Sequence, residues 1–161
     1  MIFKEGFFFL IFSSLIFLLS SCWPGKTREP VKMITGLAVI NVLDKELHDD
    51  CHIKGSINVP FGEIKDLEKM VDKNATVVTY CTNYMCGASG AARKQLIKMG
   101  YKNVYVYEGG TAEWKKKGLP TVGPCKKGYL GNVGTPPEKK EPYMLNAEEL
   151  KAKIDERFAG K

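Results

Sequence analysis

Two cysteines five residues apart, Cys81 and Cys86, bound the part of this sequence that is best suited to do chemistry. Cys81 directly follows a run of apolar and β-branched residues, and a helix is predicted to start near Gly87 or Ala88. A loop around a strand end presents backbone N–H groups to its centre, and a helix start adds positive charge. Because both lower the pKa of a cysteine, we predict a nucleophilic thiolate at Cys81. The loop residues predicted to bind its substrate are Thr82, Asn83, Tyr84, Met85 and Gly87.

The flanking segments predict the elements that must position this loop. The predicted strands are residues 37–42, 56–59, 75–80 and 104–107, and the predicted helices are residues 61–71 and 88–99. Strands that alternate with helices favour an α/β fold, with a parallel sheet covered by helices on both faces. Sites in such sheets form at the carboxyl ends of strands, where Cys81 lies. Position alone leaves an inert, buried cysteine as the alternative.

The start of the chain has the layout of an export signal. Lys4 precedes two apolar runs that end at small residues and Cys22, which is typical of a secretory signal peptide. The Leu-Ser-Ser-Cys pattern at residues 19–22 resembles the lipobox of bacterial lipoproteins. We predict a signal peptide (residues 1–21) and a tether (residues 22–30) lipidated on Cys22, which places the protein at the bacterial cell envelope, lipid-anchored and periplasm-facing. An uncleaved anchor and a chance cysteine are the alternatives.

The rest of the chain is long enough for one domain and a tail. We assign the domain to residues 31–124, a linker or arm rich in Gly, Pro and Lys to residues 125–145, and a C-terminal helix to residues 146–159. Asn146 followed by Glu149 predicts the start of that helix. The helix either docks on the domain or binds a protein partner.

The distribution of charged residues argues against nucleic acid as a partner. The chain has 24 Lys and Arg residues against 18 Asp and Glu, a formal net charge of +6. The basic residues are scattered except at residues 115–117, and no stripe of aromatic and basic side chains accompanies them. This pattern favours solubility near an anionic membrane and argues against nucleic-acid binding. We predict no cofactor and no metal site.

The domain resembles the rhodanese-like family in four stretches, which occur in the family's order and at near-family spacing. They are Asn41-Val42 with residues 51–60 (CHIKGSINVP), residues 77–81 (VVTYC), Ala91-Ala92 with Leu96, Gly100 and Tyr101, and residues 104–110 (VYVYEGG) with Glu113-Trp114 and Gly118-Leu119-Pro120. Together they cover residues 31–122. The resemblance implies a parallel sheet flanked by helices and a cysteine, after the central strand, that carries sulfane sulfur as a persulfide.

The resemblance places that persulfide on Cys81. It implies a small sulfur donor that loads the cysteine and a thiol or cyanide acceptor that removes the sulfur, by covalent catalysis. The N–H groups of residues 82–87 would then cradle the terminal sulfur. His52, in the family's His-Ile-x-Gly turn, is predicted to pack and to hydrogen bond rather than to act as a base.

Two departures from the family bear on this expectation. Asn41 and Leu43 stand where the family usually has Asp and Arg, so packing must stabilise that region instead of an ion pair. The loop after Cys81 is longer than the common form and contains no Lys or Arg. Members that use thiosulfate commonly place a cation there, which weakens the case for thiosulfate as the donor.

The other cysteines leave several roles open. Cys86 could attack a persulfide or sulfenic acid on Cys81 and form an internal disulfide, as a resolving cysteine does, or it could merely fill the helix start. Cys51 and Cys125 have no assigned role, and a disulfide between them would suit an exported protein.

The leading hypothesis is therefore a rhodanese-like sulfurtransferase or persulfide carrier at the cell envelope. One alternative is a non-catalytic rhodanese-like module that binds a partner through its C-terminal helix. The other is a thiol–disulfide redox protein that uses Cys81 and Cys86.

Overall fold

The computed structural model describes residues 33–160 of the chain. The predicted signal peptide (residues 1–21), the tether (residues 22–30) and the lipidation at Cys22 lie outside the described residues. Within residues 33–160, no helix is both long and apolar enough to cross a membrane.

Six strands and four α-helices alternate along most of the described chain. The strands are β1 (Leu37–Asn41), β2 (His52–Ile53), β3 (Ile57–Asn58), β4 (Thr76–Tyr80), β5 (Asn103–Tyr107) and β6 (Thr121–Val122). The α-helices are α1 (Lys45–Asp50), α2 (Ala88–Lys98), α3 (Gly110–Lys116) and α4 (Ala147–Ala159). Two 3₁₀ segments span Phe61–Lys69 and Gly128–Gly131.

Four parallel strands form the central sheet in the order β3-β1-β4-β5. A short antiparallel pair, β2 with β6, lies apart from it. The strands of the central sheet are rich in Val, Ile and Tyr, and β1 is buried along its whole length, as expected for a sheet with both faces covered. The predicted α/β fold with a parallel sheet is confirmed.

Alternate side chains of each strand enter two separate apolar clusters, one on each face of the sheet. On one face, Val77 and Cys81 pack with residues of α2 and of the 3₁₀ segment Phe61–Lys69. On the other face, Val78 and Tyr80 pack with residues of α3 and α4. The period of two along a strand therefore sends the side chain of Cys81 towards α2.

The segment predicted as a helix at residues 61–71 is a 3₁₀ helix that ends at Lys69. Its buried residues, Ile64 and Leu67, are three positions apart. A helix of three residues per turn puts both side chains on the face towards the sheet. The period of the apolar pattern explains why this segment is 3₁₀ rather than α-helical.

The C-terminal helix α4 docks on the second face of the sheet. It begins with a capping box in which Asn146 and Glu149 exchange two hydrogen bonds of 2.8 Å. Leu150 and Ile154 are buried among the core residues, whereas the side chain of Phe158 is 48% exposed. Two of the helix's three large apolar side chains are thus not available to a partner.

Candidate functional site

Cys81 lies at the carboxyl edge of the central sheet, directly after β4. The register pairs Asn41 with Tyr80 and Tyr80 with Tyr107, so the last residues of three neighbouring strands lie side by side. Loops that leave this edge converge, which is why sites form there in parallel sheets.

The start of α3 holds the main chain of Cys81 in place. The N–H of Thr111 donates to the carbonyl of Cys81 at 3.0 Å, and the N–H of Ala112 donates to the carbonyl of Thr82 at 2.9 Å. Gly110 has a φ of +60°, and a Cβ there would lie 2.5 Å from the Cys81 carbonyl oxygen. The close approach of the two segments therefore requires glycine at this position.

The thiol of Cys81 is fully buried and points into the loop that it begins. Its Sγ lies 3.1 Å from the carbonyl oxygen of Cys86 and 3.5 Å from the hydroxyl of Ser89. The hydrogen bond with Cys86 raises the pKa of the Cys81 thiol most, and burial raises it further. Cys81 is thus a protonated donor in this conformation.

Cys86 is the more acidic and the more accessible thiol of the pair. Its side chain is partly exposed, whereas Cys81 has no exposed surface. The hydrogen bond with Cys81 lowers the pKa of Cys86 from its ordinary 9.0 to about 5, and the N–H groups of Ala88 and Thr82 and the Thr82 hydroxyl also lower it. Burial of Cys86 opposes this effect without overcoming it. The sequence predicted a thiolate at Cys81, whereas the lowered pKa favours the thiolate at Cys86.

Other acceptors occupy several of the N–H groups of the cysteine loop, which we define as residues 81–87. The N–H of Tyr84 donates to the carbonyl of Val133 at 3.2 Å. The N–H of Met85 donates to Asn83 Oδ1 at 3.1 Å, and that of Cys86 donates to the carbonyl of Asn83 at 3.0 Å. These three groups therefore do not converge on the sulfur of the predicted nucleophile.

The arm, residues 125–145, lies against the cysteine loop. The buried Asn83 donates from Nδ2 to the carbonyl of Asn132 at 2.7 Å. Gly134 has a φ of +75°, and a Cβ there would come within 2.9 Å of Cγ of Met85. The segment predicted to be a linker or arm therefore packs against the cysteine loop and forms one side of the site.

Two tyrosines and a glutamate join the cysteine loop to α3. Tyr84 and Tyr107 both donate to Glu113 Oε2, at 3.1 Å and 2.8 Å respectively. Burial, together with the nearby Glu113 carboxylate, raises the pKa of Tyr84 to about 12. Tyr84 therefore stays protonated and keeps donating across the physiological pH range.

A disulfide between Cys51 and Cys125 fastens the start of the arm to the domain. Beside it, the carboxylate of Asp50 accepts the N–H groups of Lys126 and Lys127 at 3.1 Å and 3.0 Å. The arm is thus attached to the domain at residues 125–127 and to the cysteine loop at residues 132–134. The disulfide between Cys51 and Cys125, which the sequence left open, is therefore present.

Residues that match the family outside the loop have packing roles. His52 donates from Nδ1 to the carbonyl of His48 at 2.8 Å, and the two rings stack with their centres 3.8 Å apart. Asn41 accepts the N–H of Leu43 at 2.9 Å, and both side chains are buried. Packing and short-range hydrogen bonds therefore replace the family's ion pair.

The family model of the rhodanese-like domain matches residues 28–117, which is more than half of the chain. This chain belongs to the rhodanese-like family.

Two curated relatives are thiosulfate sulfurtransferases. The chain is 25% identical to GlpE of Coxiella burnetii over 79 residues, which cover 49% of this chain and 72% of that protein. It is 37% identical to PspE of Escherichia coli over 67 residues, which cover 40% of this chain and 62% of that protein.

Solved structures show the same fold. The BH2092 protein of Bacillus halodurans superposes with a TM-score of 0.52 at 28% identity, over 56% of this chain and 66% of that chain, slightly less than two thirds. The Alr3790 protein of Anabaena superposes with a TM-score of 0.51 at 25% identity, over 54% of this chain and 77% of that chain.

The family match ends at residue 117, and several residues that shape the site lie beyond it or far from the loop in sequence. Sequence reasoning missed Ser89, Thr111, Glu113, Asn132 and Gly134. Gly134 gives no sequence signal, because glycine is common in irregular segments and neighbouring glycines such as Gly131 make no close contact.

Positive charge lies beside the rhodanese-like loop rather than in it. Arg93 and Lys94, on α2, line a surface depression of about 290 Å³ together with Gly87 and Glu108. The guanidinium of Arg93 is fixed by a hydrogen bond from Nε to the carbonyl of Val104 at 2.9 Å. One residue of the cysteine loop, Gly87, thus shares a depression with two cations of the helix that follows it.

Proposed function

We propose that this protein is a sulfurtransferase or persulfide carrier that works at the cell envelope. The observation that supports the proposal best is the buried Cys81 at the carboxyl end of β4, whose thiol donates to the carbonyl of a second cysteine, Cys86, at 3.1 Å. The family relatives described above include thiosulfate sulfurtransferases. A thiol pair with one thiolate is suited to hold and transfer a sulfur atom.

In the proposed reaction, Cys81 carries the transferred sulfur as a persulfide. An acceptor thiol or cyanide attacks the outer sulfur, the S–S bond breaks, and Cys81 is restored as a thiolate. The Ser89 hydroxyl, 3.5 Å from Cys81 Sγ, can donate to the sulfur as negative charge develops there.

The substitution Cys81→Ser tests this proposal. We expect it to abolish the cyanide-dependent formation of thiocyanate from sodium thiosulfate or inorganic polysulfide, because the sulfur that accepts the transferred atom is gone. Retained thiocyanate formation in a variant with an unchanged circular dichroism spectrum would rule out Cys81 as the carrier.

We also propose that the protein is lipid-anchored through Cys22 and faces the periplasm. The Leu-Ser-Ser-Cys pattern supports this location, and so does the Cys51–Cys125 disulfide, because structural disulfides persist mainly in oxidising compartments. We expect the protein to incorporate radiolabelled palmitate and to fractionate with membranes, and Cys22→Ala to lose the label. Absence of label from the unmodified protein would contradict the proposal.

The contact between the two thiols also favours a second candidate function, which is thiol–disulfide exchange through Cys81 and Cys86. This function requires an internal disulfide that forms and breaks reversibly. A redox titration against glutathione, read by mass spectrometry, distinguishes the candidates. A reversible loss of two hydrogens at these cysteines, without any gain of sulfur from polysulfide, would favour exchange over sulfur transfer.

A further inference from the structure

The two cysteines of the loop differ in three respects that together order them in a reaction. Cys81 is buried and Cys86 is partly exposed, and Cys81 is the donor of the hydrogen bond between the two residues. Different groups surround the two sulfurs. We propose that sulfur is loaded first on Cys86 and is then passed within the loop to Cys81, where it is stored. This inference rests on the proposed function and assigns to Cys86 the loading step rather than a resolving role.

Access to solvent favours Cys86 as the first acceptor. Cys81 has no exposed surface, and its thiol points at the carbonyl of Cys86 and the hydroxyl of Ser89. A donor cannot reach the Cys81 sulfur in this conformation, because nucleophilic attack requires the two sulfurs to approach in contact. Cys86 is partly exposed at the opposite end of the same loop.

Charge also favours attack by Cys86. The Cys81 thiol, the N–H groups of Ala88 and Thr82 and the Thr82 hydroxyl lower the pKa of Cys86 to about 5, which favours its thiolate form at neutral pH. The thiolate is the nucleophilic form of cysteine, whereas Cys81 is held as a thiol.

The surface beside Cys86 suits an anionic donor. Gly87, the next residue, lines the depression that also contains Arg93 and Lys94. Glu108 shares this depression, and burial raises the pKa of its carboxyl group. The two cations of this depression attract anionic donors such as inorganic polysulfide or a small-molecule persulfide to the surface next to Gly87.

The loading step balances without an external oxidant. The Cys86 thiolate attacks the outer sulfur of a donor R–S–SH, the donor S–S bond breaks, and R–S⁻ leaves while Cys86 carries –S–SH. Negative charge passes from the Cys86 sulfur to the donor's leaving thiolate, and the sulfur atom keeps its oxidation state. The reaction is an ordinary thiolate exchange at sulfur.

The transfer step then moves the same atom inwards. The sulfur of Cys81 attacks the outer sulfur of Cys86–S–SH, the S–S bond on Cys86 breaks, and the thiol proton of Cys81 passes to the Cys86 sulfur. The products are Cys81–S–SH and Cys86–SH, which then loses its proton to water. A thiol of low pKa is the better leaving group and one of high pKa the better nucleophile, so the difference between the two residues drives transfer towards Cys81.

Rapid mixing of the purified full-length protein with sodium tetrasulfide tests this order. Samples are quenched with acid, alkylated with iodoacetamide and analysed by tandem mass spectrometry to locate the added sulfur. We expect Cys81→Ser to collect sulfur on Cys86 and to retain it there, because the residue that receives it from Cys86 is missing. We expect Cys86→Ser to load Cys81 at least about tenfold more slowly, since the accessible thiolate is missing.

The outcomes separate this inference from the proposed function. Full-rate loading of Cys81 in Cys86→Ser, or no sulfur on Cys86 in Cys81→Ser, would overturn the order while leaving Cys81 as the carrier. An unmodified protein that takes up sulfur on neither cysteine would contradict the proposed function itself.

A third variant tests the order even if a cysteine variant does not fold. Thr82→Val removes the hydroxyl that donates to the Cys86 sulfur and leaves both thiols in place. We expect slower loading than in the unmodified protein at about pH 5, where only about half of Cys86 is ionised, and equal loading at about pH 9, where Cys86 is ionised in both. Thr35→Val, at an exposed threonine, is the matched control and should load normally at both values. Unchanged loading of Thr82→Val at the lower pH would overturn the proposal.

Discussion

At the scale of single residues, the site is defined by two chemically identical side chains in unequal surroundings. Cys81 is buried and donates its proton, and Cys86 collects N–H and hydroxyl donors at the start of α2. In sequence the two thiols are equivalent except for their order. The Cys81 thiol, and then Ala88 and Thr82, lower the pKa of Cys86 without a basic side chain.

The pH dependence of alkylation measures this difference. Thiolate fraction rises with pH, so a cysteine whose pKa is about 5 instead of 9.0 reaches half of its maximal reactivity at about pH 5. We expect iodoacetamide to modify Cys86 with that profile and Cys81 far more slowly at every pH below 9, since its pKa is raised. A half-maximal pH near the ordinary thiol value for Cys86 would contradict the assignment of the thiolate.

Asn83 is the residue that ties the cysteine loop to the arm. Asn83→Ala leaves the Asn132 carbonyl and the Met85 N–H without partners, so we expect a loss of about 1 to 3 kcal/mol in the free energy of unfolding. We also expect slower sulfur transfer, because the loop is less well ordered. Asn103→Ala, at an exposed asparagine with one hydrogen bond to Asn74, should change stability by less than about 0.5 kcal/mol. Equal effects in urea denaturation would show that the contact with the arm contributes nothing specific.

At the scale of elements, the arm and the disulfide form part of the site's support. After β6 the chain is attached at Cys125 to the domain, contacts the cysteine loop at residues 132–134 and returns to the sheet at Met144, which pairs with Val106 of β5. The N–H groups of Met85 and Cys86 are directed to Asn83 in the same loop. The loop is thus held from within by its own asparagine and from outside by the arm.

Removal of the disulfide tests the contribution of the arm. Cys51 and Cys125 are 74 residues apart, so the loop that their bond closes is long, and we expect the double variant Cys51→Ser/Cys125→Ser to lose about 2 to 4 kcal/mol of unfolding free energy. We expect faster amide hydrogen exchange at residues 126–134 and in the cysteine loop, measured by mass spectrometry. Exchange that rises equally throughout the chain would indicate a global loss of stability without a specific role for the arm.

At the scale of the whole molecule, the sheet separates two apolar clusters, and the chain supplies a different set of helices to each. The cluster that contains Cys81 is closed by α2 and the 3₁₀ segment Phe61–Lys69. The opposite cluster is closed by α3 and by α4, which comes from the end of the chain. Because parallel strands are buried on both faces, α4 completes the domain rather than extending from it.

The buried Leu150 tests whether α4 belongs to the core. Leu150→Ala creates a cavity against β1 and β4, so we expect the free energy of unfolding to fall by about 2 to 5 kcal/mol. Ile97→Ala on α2, whose side chain is 45% exposed, is the control and should cost much less. A small effect of Leu150→Ala in chemical denaturation would mean that the helix contributes little to the fold.

Local patterns were sufficient to predict most elements and the position of the first thiol. The apolar run before Cys81 predicts β4, the spacing of Ala88, Ala92 and Leu96 predicts α2, and Asn146 with Glu149 predicts the start of α4. Each of these signals lies within one element, where the period of side chains along the backbone decides which residues are buried. The placement of Cys81 at the sheet edge follows from the same periodicity.

The sequence by itself thus determined the fold class, the family resemblance and the strand-end position of Cys81. Only the tertiary structure decided that Cys51 pairs with Cys125, that the arm packs on the cysteine loop and that the pKa of Cys81 is raised while that of Cys86 is lowered. These features depend on distances between residues that are remote in sequence or on the direction of single hydrogen bonds. Periodicity along the chain carries no information about either, because both are set by how the complete chain packs.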